Sequence, residues 1–152
     1  MDHPTIDDSL HLYSYWRSSA AYRVRIALAL KALAFETRPV HLLKDGGQQH
    51  AAGYVEINPQ QLVPVLLHGR RAIRQSLAII EYLEEAWPDA PPLLPGTARE
   101  RGRVRALAQL VACDIHPLNN LRVLQFFERQ WNVPQAERDE WVRHWIVEGL
   151  AA

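Results

Sequence analysis

Ser18 and Ser19 stand where a strand-like pattern gives way to a helical one. A hydroxyl at a helix start can donate to an anion while the partial positive charge of the helix end favours it, an effect worth roughly 0.3 to 2 kcal/mol. Gln75 and Ser76 immediately precede a second helical pattern, whose unpaired first-turn amides suit a carboxylate. Val63-Pro64 opens a strand pattern between them. Arg17 and Arg122 carry guanidinium groups that can grip a carboxylate in bidentate fashion. These residues describe a site for a small anion. Each also has an ordinary structural explanation: serine and glutamine as helix caps, proline as a plain strand opening, arginine as a solvated surface charge, and His116 as a helix-terminal ring bonding a loose carbonyl.

The elements that must position them follow from periodicity. Leu10 to Ser14 alternates apolar and polar side chains and predicts a strand, after which Ser18 or Ser19 offers an N-cap. Tyr22 to Leu33 repeats at helical spacing, and Phe35 to Leu43 alternates again, so a crossover long enough for parallel pairing joins two strands. Lys44-Asp45-Gly46-Gly47 is a turn signal, followed by a loop and a short irregular helix as far as Asn58-Pro59. Val63 to His68 and Arg71 to Arg74 form a hairpin around Gly69-Arg70, and Ser76 caps a helix that ends before Pro88. The order is βαβαββα.

Beyond it the pattern is helical only. Pro88 to Gly96 is broken by prolines and reads as a linker between a domain at 1–87 and a second at 97–152. Thr97 and Glu100 match the capping box. The helix they start is expected to run through Val104, Leu107, Val111 and Ile115, bend at Pro117 and resume toward Trp131. Pro134 starts another helix, striped by Trp141, Trp145 and Ile146, which are expected to lack covering partners and form an exposed apolar patch.

Composition narrows the function classes. With 48% hydrophobic and 22% charged residues the chain can build a core, and 17 basic residues against 17 acidic ones give no electrostatic reason to expect a nucleic acid or an anionic membrane as partner. A single cysteine, Cys113, excludes an intrachain disulfide and fits a reducing cytoplasm. Met1 to Ser9 is acidic and does not read as a secretory signal, and Lys31 interrupts the longest apolar stretch well short of a bilayer span. No HExxH, GxSxG or GxxxxGK[ST] pattern occurs, so no metal, hydrolase or nucleotide site is expected.

Four stretches together resemble one family: Tyr13-Ser14-Tyr15-Trp16-Arg17-Ser18-Ser19, Lys44-Asp45-Gly46-Gly47-Gln48-Gln49, Gln75 to Glu84, and Asp114-Ile115-His116-Pro117-Leu118-Asn119-Asn120. From Leu10 onward the chain is similar to zeta-class glutathione transferases, the group that includes maleylacetoacetate and maleylpyruvate isomerases. The resemblance implies an α/β thioredoxin-like domain followed by an all-α glutathione-transferase domain, truncated here because relatives continue into further helices. It implies glutathione as cofactor. Ser18, with Ser19 the weaker candidate, would donate to the glutathione sulfur and lower its pKa. Gln49 would lie near the glycyl end, Val63 and a cis Pro64 would pair the cysteinyl backbone, Gln75 and Ser76 would hold the γ-glutamyl carboxylate, and His116 and Asn120 would line the cleft.

Arg17 and Arg122 would then hold the carboxylates of a maleyl dicarboxylate-type substrate. The implied activity is cis–trans isomerisation of a maleyl keto acid to its fumaryl isomer by thiolate addition, bond rotation and elimination. A cytoplasmic homodimer in aromatic amino acid catabolism is implied with it. Ala20 departs from the pattern, since many relatives carry Ser-Ser-Cys, and any mechanism needing that cysteine is excluded. General glutathione conjugation or peroxide reduction, and a catalytically impaired glutathione-binding remnant, stand as alternatives.

Overall fold

The computed structural model describes residues 8–94 and 96–151. These divide into two compact units, Met1–Leu94 and Pro95–Ala152. No helix among the described residues is long and apolar enough to cross a membrane.

The first unit contains β1 (Leu10–Ser14), α1 (Ser19–Leu30), β2 (Glu36–Pro39), α2 (Ala52–Ile57), β3 (Val65–His68), β4 (Arg71–Arg74) and α3 (Ser76–Ala86). The sheet order is β2-β1-β3-β4, with β1 parallel to β2 and the other pairs antiparallel. Alternation along β1 separates two cores, because successive side chains point to opposite faces. Leu10 and Leu12 join Val24, Ala27 and Leu28 of α1, Leu66, and Ile79 and Leu83 of α3 on one face. Tyr13 and Val65 pack with Tyr15, Val40, Tyr54 and Val63 on the other. Leu12, Leu28, Leu66, Ile79 and Leu83 are completely buried, each stabilising the fold by about 1.5 to 3 kcal/mol.

The second strand is shorter than the alternation from Phe35 to Leu43 predicts. It stops at Pro39, and beyond it side chains take over the backbone groups: Gln48 Oε1 accepts from His41 N at 2.8 Å, and the His41 ring accepts from Leu43 N and Lys44 N. The chain therefore turns instead of extending. Two 3-10 turns, Lys44–Gly46 and Gln48–His50, lead to α2. The hairpin turns on Gly69, at φ 55°. Ser76 is the first helical residue of α3 and not its cap, which is Gln75.

The proline-rich segment after α3 is fastened to the first unit. Lys31, 2% exposed, donates from Nζ to Glu84 Oε2 at 2.9 Å and to Pro91 O at 3.4 Å. The same carboxylate accepts from Leu93 N and Leu94 N at 3.0 and 3.1 Å.

The second unit comprises α4 (Ala98–Gln109), a π-helical segment (Leu110–Ile115), α5 (Leu121–Trp131) and α6 (Gln135–Leu150). Both bonds of the Thr97–Glu100 capping box form. The expected single helix bent at Pro117 is instead two helices. Proline offers no N–H and crowds the carbonyl four residues back, and here the backbone has already widened, with His116 N donating to Val111 O at 3.0 Å. The chain then turns, and Asn120 caps α5 by accepting from Arg122 N at 3.2 Å. Gly149 of α6 lies so close to this π segment that a Cβ on it would stand 2.3 Å from Ile115 Cγ1.

Trp141 and Trp145 are not the uncovered patch the sequence suggests. Trp141 donates from Nε1 to Leu118 O at 2.9 Å and meets Phe127 edge-on at 4.9 Å, with Trp145 beside it at 5.5 Å. Ile146 is exposed.

Candidate functional site

Strand register brings three of the sequence-predicted features to one end of the sheet. Tyr13 stands opposite Val65, and Val65 opposite Arg74. Since β1 and β4 run toward that row and β3 runs away from it, the β1–α1 turn, the Val63-Pro64 bond and the Gln75-Ser76 step all leave the sheet on the same side.

At the first of these, Ser18 is the N-cap of α1 and its Oγ accepts from Ala21 N at 3.1 Å. Capping uses the oxygen as acceptor and leaves the hydroxyl proton to be donated elsewhere. Ser18 is half-buried, Ser19 is exposed and Ala20 is buried. Arg17 is exposed, with its guanidinium 5.6 Å from the centre of the Trp16 ring.

The Val63-Pro64 peptide bond is cis. Its approach is held by residues that the sequence reading passed over. Tyr54 Oη and Asn58 Nδ2 both donate to the Leu62 carbonyl, at 2.6 and 2.7 Å, while Asn58 Oδ1 accepts from Gln60 N at 3.1 Å. Asn58 is 1% exposed. Burial pushes the Tyr54 hydroxyl up to about 12, so it remains a donor throughout the physiological range. Arg74 donates twice to the Ile57 carbonyl, tying the end of β4 to the end of α2. Asn58-Pro59 is a readable turn signal, but nothing in it says that the asparagine closes the loop on itself.

At the third feature, Gln75 has φ 69° and its side chain does not cap α3. Gln75 Nε2 donates instead to Gln60 Oε1 at 2.9 Å. Gln61 also lies in the left-handed region, at φ 56°. Such backbone costs on the order of 1 to 3 kcal/mol per residue and gathers where ligands are held. Ser76 is buried.

Gln49 is buried beside this loop. Its Nε2 donates to Leu42 O at 3.3 Å and lies 3.0 Å from His50 Nε2, while the other His50 nitrogen meets Gln61 Oε1. Gln49 Oε1 is buried and accepts no hydrogen bond from the described residues. In the second unit, His116 and Asn120 lie in the turn between the π segment and α5, and Arg122 is the exposed second residue of α5. A separate cavity of about 380 Å³ in the first unit is lined by Ser14, Tyr15, Trp16, Arg25, Thr37, Pro39 and His41, and by none of the predicted site residues. Among the described residues no cluster of His, Cys, Asp or Glu is arranged to hold a metal.

A four-stranded sheet in this order, with a capped helix start, a cis proline and an uncapped second helix start at one end, matches a known family. Residues 12–91 match the model of the glutathione S-transferase N-terminal domain. A probable maleylacetoacetate isomerase of Vibrio cholerae is 55% identical over 142 residues, covering 93% of this chain and 66% of that protein. The holo structure of a maleylpyruvate isomerase, described as a bacterial zeta-class glutathione S-transferase, superposes with a TM-score of 0.87 at 45% identity, covering 91% of this chain and 64% of the other. A maleylacetoacetate isomerase of Anaeromyxobacter dehalogenans, solved with glutathione bound in its active site, gives 0.78 at 47% identity, covering 94% and 65%.

The chain belongs to the glutathione S-transferase family, within its zeta class. It spans about two thirds of the length of these relatives.

Proposed function

We propose that the protein is a glutathione-dependent isomerase that converts a maleyl keto acid, maleylacetoacetate or maleylpyruvate, to its fumaryl isomer. The observation that carries this reading is the Ser18 hydroxyl at the start of α1, its oxygen capping Ala21 and its proton free to donate. Relatives named as maleylacetoacetate and maleylpyruvate isomerases support it.

The residues present fit glutathione. The molecule has a carboxylate at each end and amide donors between, and the first unit offers an unsatisfied buried acceptor at Gln49 Oε1 and a helix start without a side-chain cap at Ser76. The first-turn amides of α3 and the Ser76 hydroxyl hold the γ-glutamyl carboxylate, with Gln75 beside them. The backbone N–H and carbonyl of Val63, next to Pro64, pair with the cysteinyl segment as an added strand. Gln49 accepts from the glycyl end, and the reading also assigns His116 and Asn120 to glutathione binding. When bound, glutathione supplies a thiolate nucleophile for the activated cis double bond, which permits rotation before elimination.

This chain's own residues favour that thiolate and orient the substrate. Ser18 donates to the sulfur, with Ser19 the alternate donor, and the amino end of α1 favours negative charge there. Arg17 and Arg122 are each assigned to a carboxylate of the maleyl acid, where a guanidinium offsets negative charge that develops during addition. The reading also carries a homodimer and a cytoplasmic place in aromatic amino acid catabolism. Ala20 favours a second reading, glutathione binding without turnover, because it offers neither donor nor nucleophile in the first turn. An isomerase assay on the wild type and Ser18→Ala separates the two. Conversion by the wild type that falls at least tenfold in the variant supports catalysis, and binding of glutathione without any conversion supports the remnant.

A further inference from the structure

Arg25 lies on α1, yet its guanidinium turns back to the loop before the helix. Nη1 donates to Ser14 Oγ at 2.8 Å and to the Tyr15 carbonyl at 3.3 Å, and Nη2 donates to the Trp16 carbonyl at 3.3 Å. Three consecutive residues are thus held by one planar group. The Tyr15 carbonyl also accepts from Ser18 N at 3.0 Å, the bond that closes the turn bearing the proposed sulfur donor. The β1 end of this arrangement is firm, because Ser14 and Tyr15 are buried and Ser14 O accepts from Val40 N at 2.9 Å. The middle of the turn is not held by packing: Trp16 is 73% exposed and Arg17 is exposed as well.

We infer that Arg25 is a positioning residue that fixes the turn bearing Ser18 against the end of β1 by holding the Tyr15 and Trp16 carbonyls. The inference rests on the functional reading above, in which Ser18 donates to the glutathione sulfur. Guanidinium suits the task because its donors lie in a fixed fork and reach several acceptors at once, whereas a lysine ammonium is a single point on a flexible stem. Without it the Tyr15 carbonyl keeps the bond from Ser18 N, and Ser18 still caps Ala21 N, but the turn between them and β1 is free to shift and carries the hydroxyl with it. A misplacement on the scale of 1 Å is enough to cost up to a hundredfold in rate.

The test compares the wild type with Arg25→Met and Arg25→Lys in two measurements. Amide hydrogen exchange at Ser18, without glutathione, reads the turn directly, and at least tenfold faster exchange is expected in Arg25→Met with an intermediate rate in Arg25→Lys. Ultraviolet titration of the thiolate of bound glutathione reads the consequence, and its pKa is expected to rise by about one unit, a tenfold loss of thiolate at a pH below it. A helix that was merely destabilised would lower the melting temperature without moving that pKa. Unchanged Ser18 exchange and an unchanged thiol pKa in folded Arg25→Lys overturn the inference, and the lysine variant decides alone if the methionine variant does not fold. If wild-type protein fails to depress the thiol pKa, the functional reading falls, and the Ser18 exchange rates still decide whether Arg25 holds the turn.

Discussion

Gly47 and Gln49 occupy one small volume: a Cβ built on Gly47 would stand 2.6 Å from Gln49 Nε2 and 2.9 Å from its Oε1. Gly47 also has φ 104°, a conformation that side chains rarely adopt. Gly47→Ala is therefore expected to displace the Gln49 amide as well as strain the turn. Calorimetry should show glutathione affinity falling about tenfold, and Gln49→Ala should reproduce most of the loss without the strain.

The Asn58 side chain spans its own loop, donating to Leu62 O and accepting from Gln60 N. Removing it takes one of two donors from Leu62 O and the acceptor from Gln60 N, two hydrogen bonds worth together roughly 1 to 3 kcal/mol. Asn58→Ala should lower stability by that amount in urea unfolding. Tyr54→Phe should cost less, because Leu62 O keeps its bond from Asn58.

Glu84 gives the first unit an acid dependence. Burial pushes its carboxyl up, but the Leu93 amide, the Lys31 ammonium and the Leu94 amide together more than offset this and hold it below the usual carboxylate range. A carboxyl lowered in the folded state binds protons more readily when unfolded. Its stabilisation is present above the ordinary carboxylate pKa and is lost as pH falls through the folded value. Glu84→Gln should flatten the stability curve in that acid window. Glu84→Ala should cost about 3 kcal/mol, since it leaves the buried Lys31 ammonium without its carboxylate.

The two arginines proposed to bind substrate should each act on substrate alone. Arg17→Ala and Arg122→Ala are each expected to raise KM for the maleyl acid about tenfold or more while leaving glutathione affinity unchanged. Steady-state kinetics beside calorimetry checks this.

Much of this molecule was legible in its sequence because local chemistry agreed with the global fold. The Thr97–Glu100 box, the Gly69 hairpin and the helix start after Ser18 are decided by neighbours only a few residues apart. What escaped depends on residues distant along the chain. Periodicity identifies β3 as a strand, but its antiparallel place beside β1 is a matter of sheet order, and that order is what carries Pro64 and Gln75 to the end of the sheet where Ser18 lies. The early end of β2 came from a competition between strand pairing and the side chains of His41 and Gln48, which no alternation pattern encodes. Arg25 lies within the helical repeat of Tyr22 to Leu33, and sequence spacing does not show its side chain reaching back eleven residues to Ser14.

The most direct test is the acidity of the glutathione thiol when bound to the unmodified protein. A hydroxyl donor and a helix end acting together should lower that pKa by one unit or more from the ordinary thiol value of about 8.5, and Ser18→Ala should return it about one unit toward that value. A bound thiol that titrates like free glutathione, or the same lowered value after Ser18 is replaced, would contradict the account.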